Sequence, residues 1–157
     1  MGKITEKENN VYRLSENNHK TNSFSILLAE DDKEMRSLLA LMLRKEGYQV
    51  CECIDGLSLL DMLSSFFLPD EEHENFDLII SDIRMPGVTG MEILLGANEI
   101  DDFPPIILIT AFGDKETHMQ AERLGAVALF DKPFDIDEML EKVRTILPTR
   151  HNRGLFL

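Results

Sequence analysis

Leu78-Ile79-Ile80-Ser81-Asp82-Ile83-Arg84-Met85-Pro86-Gly87 is the stretch that decides the fold. Three consecutive large aliphatic residues without polar alternation read as a strand covered on both faces. The run ends abruptly in Ser81 and Asp82, and Met85-Pro86-Gly87 reads as a loop. The same design recurs along the chain. Ile26-Leu27-Leu28-Ala29 ends in Glu30-Asp31-Asp32, Ile106–Ile109 ends in Thr110, and Val127–Phe130 leads into Lys132-Pro133. Tyr48–Ile54 is a fifth strand. Gln49 and Glu52 mark it as an edge, and Asp55-Gly56 is its turn.

Helical periods separate these runs. Met35, Leu38, Leu39, Met42 and Leu43 recur at helical spacing, and Gly47 stops the helix. Leu59, Leu60, Leu63, Phe66 and Phe67 form a second helix that ends before Pro69. Thr89 with Glu92 has the spacing of a capping box and opens a third. A weaker helix runs from about Asp114 to Leu124. Asp135 with Glu138 caps a last one carrying Ile136, Met139, Leu140, Val143 and Leu147. Strand and helix thus alternate five times, which predicts an α/β fold: a doubly wound parallel sheet with helices on both faces.

The chain has 157 residues, with 16 basic and 29 acidic side chains and a formal charge of −13. This suits one domain with a real core. The division expected is 1–23 as a flexible extension, 24–148 as the domain and 149–157 as a short tail. A helical turn at Val11–Leu14 is expected within the extension. The charge disfavours direct binding to nucleic acid or anionic membrane and suits a divalent cation and basic protein partners. No apolar run approaches the length of a membrane span, and the start lacks the apolar stretch of a signal peptide, so a cytoplasmic protein is expected. Cys51 and Cys53 fall on one face of an edge strand. Without two further ligands they make a poor zinc site and are expected to pack as small hydrophobes. His19, His73, His118 and His151 share no motif, and His73 and His118 read as surface residues.

The chemistry sits where strands end. In open α/β sheets, ligands bind outside the carboxyl ends of the strands, where the strand order reverses. In the order 2-1-3-4-5 that point lies between the first and third strands, which deliver Glu30, Asp31 and Asp82. Carboxylates gathered there repel one another unless a cation joins them, and such oxygen ligands suit Mg2+. Lys132 and Thr110 on the other side suit a phosphoryl group. Taken singly, these residues say little: an acidic run after a strand is usually solvated, a strand-end threonine usually bonds backbone, and a lone lysine is usually surface.

Together, ILLAEDD (26–32), DLIISDIRMPGVTG (77–90), ILITAFGD (107–114) and LFDKPF (129–134) resemble a bacterial response-regulator receiver domain over roughly residues 24–147. Their wording is closest to receivers of nitrogen-regulation-type activators. The resemblance implies a flavodoxin-like (βα)5 fold in the strand order 2-1-3-4-5. It implies Asp82 as phospho-acceptor, and Asp31, Asp82 and the Arg84 carbonyl as direct Mg2+ ligands, with Glu30 reaching the metal through water. Lys132, the Thr110 hydroxyl and the Ala111 N–H would bind the phosphoryl group, and the Lys132–Pro133 bond would be cis. Thr110 and Leu129 would be the switch positions. Leu129 stands where the family usually has an aromatic residue, so a muted side-chain rotation is expected there, with the signal carried by the loop after Thr110 and the helix 114–124. Phe130 points to the opposite face of the strand and does not substitute.

The implied partners are a sensor histidine kinase or histidine phosphotransfer protein and a downstream effector, with the chain a monomer or weak homodimer. Arg84 and Phe112, two residues beyond Asp82 and Thr110, lack the groups that orient an attacking water, so slow autodephosphorylation is expected unless both side chains point to solvent or a partner. One rival is a degenerate receiver that binds without phosphate, although no required side chain is missing. Another is a Mg2+-dependent phosphoryl-transfer enzyme, which would need a second carboxylate where Arg84 stands.

Overall fold

The computed structural model describes residues 23–68 and 75–149. Five strands, β1 (Ser25–Ala29), β2 (Gln49–Cys53), β3 (Leu78–Asp82), β4 (Ile106–Thr110) and β5 (Ala128–Asp131), form one parallel sheet in the order β2-β1-β3-β4-β5. Five helices alternate with them: α1 (Lys33–Lys45), α2 (Gly56–Phe67), α3 (Gly90–Ala97), α4 (Lys115–Arg123) and α5 (Ile136–Ile146). This is the five-stranded doubly wound fold that the alternation of runs predicts. The turn expected at Val11–Leu14, His19, His73 and His151 lie outside the described residues.

Successive strand residues point to opposite faces, so the sheet feeds two cores. Ile26, Leu28, Ile80, Ile107 and Ile109 pack against Leu39 and Leu43 of α1 and Met139, Leu140 and Val143 of α5. Leu27, Ile79 and Leu108 face Leu59 and Leu63 of α2, Ile93 and Leu94 of α3 and Ala121 of α4. Because β1, β3 and β4 are covered on both sides, their unbroken aliphatic runs are a physical requirement. Truncating one fully buried residue such as Ile80 to alanine costs about 2–5 kcal/mol.

Several local expectations are corrected. Leu38 is 43% exposed, and α1 instead buries Leu39, Ala40 and Leu43. Met35 and Met42 are only partly buried, whereas Met139 is fully so. Tyr48 precedes β2; it is buried and donates its hydroxyl to the Leu147 carbonyl at 2.6 Å, tying the end of α5 to the sheet. Asp135 caps α5 by accepting from the N–H of Asp137 and not of Glu138. Thr89 does accept from the Glu92 N–H at 3.1 Å. Cys53 is buried and Cys51 half-buried against the α2 side, as small hydrophobes on an edge strand. Burial pushes the Cys53 thiol up to about 12, helped by the neighbouring charges of Cys51 and Asp55.

Candidate functional site

Adjacent pairing of β1 and β3, with Ala29 opposite Ser81, brings Glu30 alongside Asp82 just past the strand ends. Both are buried, Glu30 at 0% and Asp82 at 5% exposure. Lys132 follows β5, and its main-chain N–H donates to the Thr110 carbonyl at 2.7 Å. From there its Nζ donates to Glu30 Oε1 at 2.8 Å and to Asp82 Oδ2 at 2.7 Å. The other acceptor oxygen, Asp82 Oδ1, receives the Arg84 N–H at 2.9 Å. Space for this turn comes from Gly90, where an added Cβ would stand 2.6 Å from the Asp82 carbonyl oxygen.

Burial raises the Glu30 carboxyl to about 7; the hydrogen bond from Lys132 opposes this, and the charge of Asp82 adds to it. Burial works against the Lys132 ammonium, but its bonds to Asp82 and Glu30 outweigh that and hold its pKa above the ordinary lysine value. One ammonium therefore serves two buried carboxylates. Carboxylate oxygens of Glu30, Asp31 and Asp82 all lie within 4.8 Å of one another, with Asp31 exposed at the mouth. Glu30 Oε2 is buried with no hydrogen-bond partner among the described residues. A surplus of negative charge and an orphaned carboxylate oxygen fit a hard divalent cation.

Asp32, next in the acidic run, is the N-cap of α1 and accepts from the Met35 N–H at 2.8 Å. Thr110 is 1% exposed, and its Oγ1 accepts from the Phe112 N–H at 3.1 Å. Ala111 is exposed beside it. Leu129 is partly buried and lines, with His118, Ala121, Glu122 and Ala126, a cavity of about 240 Å3 between α4 and β5. Phe130 faces the opposite core. The Lys132–Pro133 bond is cis.

Three contacts at this end of the sheet are not visible from spacing. The Arg84 guanidinium lies over the Phe112 ring at 4.3 Å, so these two exposed side chains stack on each other. Arg36, one turn into α1, donates to the Glu30 carbonyl at 2.8 Å. His118 is at the surface, as expected, and pairs there with Asp131 at 2.8 Å. Each joins two different elements of the fold, and helix or strand periodicity does not signal it.

A family model for the response regulator receiver domain matches residues 26–144. The chain belongs to that family. It is 36% identical over 127 residues to sporulation initiation phosphotransferase F of Bacillus subtilis, covering 81% of this chain and 96% of that protein. It is 38% identical over 125 residues to the C4-dicarboxylate transport transcriptional regulatory protein DctD of Pseudomonas aeruginosa, covering 80% of this chain but 25% of that protein. The receiver therefore spans nearly all of one relative and only the receiver-sized portion of another. Among solved structures it is similar to the Thermotoga maritima response regulator TrrA in complex with Mg2+ and BeF, with a TM-score of 0.65 and 31% identity over 79% of this chain and 99% of that one. The Vibrio cholerae chemotaxis response regulator CheY4 matches with a TM-score of 0.67 and 26% identity, over 80% and 100% of the two chains.

Receiver domains are signalling modules of two-component systems. They bind Mg2+ at an acidic pocket and interact with histidine kinases or phosphotransfer proteins and with effectors. No helix among the described residues is long and apolar enough to cross a membrane.

Proposed function

We propose that Asp82 accepts a phosphoryl group from a phosphohistidine on a sensor kinase or phosphotransfer protein, and that the modified receiver changes its affinity for a cytoplasmic effector. The observation that carries this reading is the sharing of Lys132 between Asp82 and Glu30, with three carboxylates inside 4.8 Å. An Asp82 oxygen attacks phosphorus, the P–N bond breaks, and the imidazole leaves with its electron pair. The Arg84 N–H and the Lys132 ammonium orient the carboxylate, and Lys132 then pairs with a phosphoryl oxygen. Glu30, Asp31, Asp82 and the Arg84 carbonyl would hold Mg2+, which when bound neutralises phosphoryl charge. Thr110 and the Ala111 N–H would bind the phosphoryl group after a small shift of their loop. With Leu129 in place of an aromatic ring, the signal passes through that loop and α4.

Slow autodephosphorylation rests on Arg84 and Phe112 offering no acceptor for a water proton; the two are exposed and stack on each other, so any shielding comes from the stacked pair as a unit. A monomer or weak homodimer suits a receiver acting through partners.

Incubation with Mg2+ and acetyl phosphate tests the reading. One acid-stable, base-labile phosphate per chain is expected, lost in Asp82→Asn. No incorporation would make the protein a binding module that works without phosphate, and many turnovers would make it a phosphatase.

A further inference from the structure

Two side-chain contacts outside the acceptor cluster grip the segment that follows Thr110. On the β3 side, the Arg84 guanidinium covers the Phe112 ring at 4.3 Å. On the β5 side, His118 Nε2 lies 2.8 Å from Asp131 Oδ2, joining α4 to the residue before Lys132. The main chain of Gly113 passes directly beneath this pair. A Cβ at Gly113 would collide with Asp131 Oδ1 and stand 3.0 Å from His118 Nε2. Only a glycine lets the loop lie that close to the carboxylate.

Little else holds the helix. Among its own residues α4 buries Ala121 alone, so its apolar anchorage is the weakest of the five helices. The segment is also tied to the acceptor site, since the Phe112 N–H donates to Thr110 Oγ1. A shift of Thr110 toward Asp82 on β3 therefore pulls Phe112 and Gly113 away from β5, which lies on the other side of β4, and the contact from His118 to Asp131 of β5 holds α4 back.

Resting on the reading of Asp82 as phospho-acceptor, we propose that His118 and Asp131 form a latch that holds the Thr110 loop and α4 in the arrangement seen here and opposes their shift toward a phosphorylated Asp82. His118 is thus a positioning residue that acts through Asp131 on α4 and the loop leading into it. Neither residue touches the cluster of Glu30, Asp82 and Lys132 carboxylates and ammonium through its side chain.

The test uses His118→Ala, Asp131→Ala and the double variant. Each is titrated with Mg2+ and beryllofluoride, a phosphoryl mimic, and amide exchange of residues 111–118 is followed in the unliganded protein. Each single variant should bind the mimic about two- to fivefold more tightly, the scale of one exposed polar contact, with faster exchange and a melting temperature lowered by no more than a few degrees. The double variant should bind no more tightly than either single one. His118→Lys, which keeps a hydrogen-bond donor opposite Asp131, should return the wild-type affinity. Gly113→Ala, whose Cβ displaces the Asp131 carboxylate, should match His118→Ala. If the single variants keep wild-type affinity and exchange while the wild type binds the mimic, the latch is overturned and the acceptor role stands. A wild type that binds no mimic overturns the acceptor role and the latch with it.

Discussion

The ends of β1 and β3 and the ends of β4 and β5 both present acids, but they hold them differently. At the first pair, Glu30 and Asp82 are buried and bound to one lysine. At the second, Asp131 and His118 are 51% and 41% exposed, and Arg84 and Phe112 stack in the open. Low dielectric makes the buried set strong in both directions: pairing holds it, and any unpaired charge is costly. Water screens the exposed contacts to a fraction of a kcal/mol each, so the segment they hold can move. One side of the site is thus rigid enough for chemistry and the other loose enough to signal it.

The largest expected effect tests the buried side. Lys132→Ala leaves Glu30 and Asp82 without their cation and should destabilise the metal-free protein by about 3 kcal/mol in urea unfolding. A change under about 0.5 kcal/mol, the size expected at the surface, would erase the contrast between the two ends.

Metal comes next. Saturating Mg2+, at about 100 times its dissociation constant, should add about 2.7 kcal/mol by mass action on the folded state. Without metal, Asp82→Asn should itself add about 1 kcal/mol by relieving repulsion with Glu30 and Asp31, and it should shrink the Mg2+ response. Asp131→Asn should change neither. Equal melting temperatures for wild type with and without Mg2+ would show that the three carboxylates do not form one site.

A smaller effect follows from Glu30. Its carboxyl is raised from 4.5 to about 7 by burial, opposed by Lys132, so the folded protein binds a proton that the unfolded chain has released. The sign is that of an acid with a raised pKa: the contribution is fully present below 4.5 and is lost as pH rises through about 7. Urea midpoints of the metal-free protein should fall across that window, and Glu30→Gln should flatten the fall. A midpoint that rises there would reverse the assignment.

The smallest effect concerns the exposed side. Arg84→Asn with Phe112→Glu should speed decay of phospho-Asp82 about threefold, a barrier change of about 0.6 kcal/mol. Decay no faster than wild type would show that the stacked pair does not shield the acyl phosphate.

Much of the acceptor cluster was legible because its residues sit at the ends of aliphatic runs. Glu30, Asp82 and Thr110 each stand at the end of a stretch that a doubly covered strand requires, Lys132 follows the edge strand β5, and parallel strands all end on one side. Leu38 misled because helical spacing marks a stripe wider than the part that meets the sheet; Leu39, Ala40 and Leu43 took the core instead. Asp135 misled at a finer level, since a cap can serve either of two neighbouring N–H groups and the choice depends on how the chain enters the helix. His118 was invisible as a partner because its acid lies on another element, thirteen residues on.

By itself, then, the sequence determined which segments become strands and helices and which polar residues end them, because these follow from burial on both faces and from spacing within a few residues. Tertiary structure alone decided which charges meet. Lys132 and Glu30 are 102 residues apart and Lys132 and Asp82 are 50, and only the strand order brings them within one hydrogen bond. The same packing decided that Glu30 loses its water while Asp131 keeps it. Solvent access, a property of the assembled sheet and helices, therefore separates a carboxylate raised to about 7 from one left on the surface.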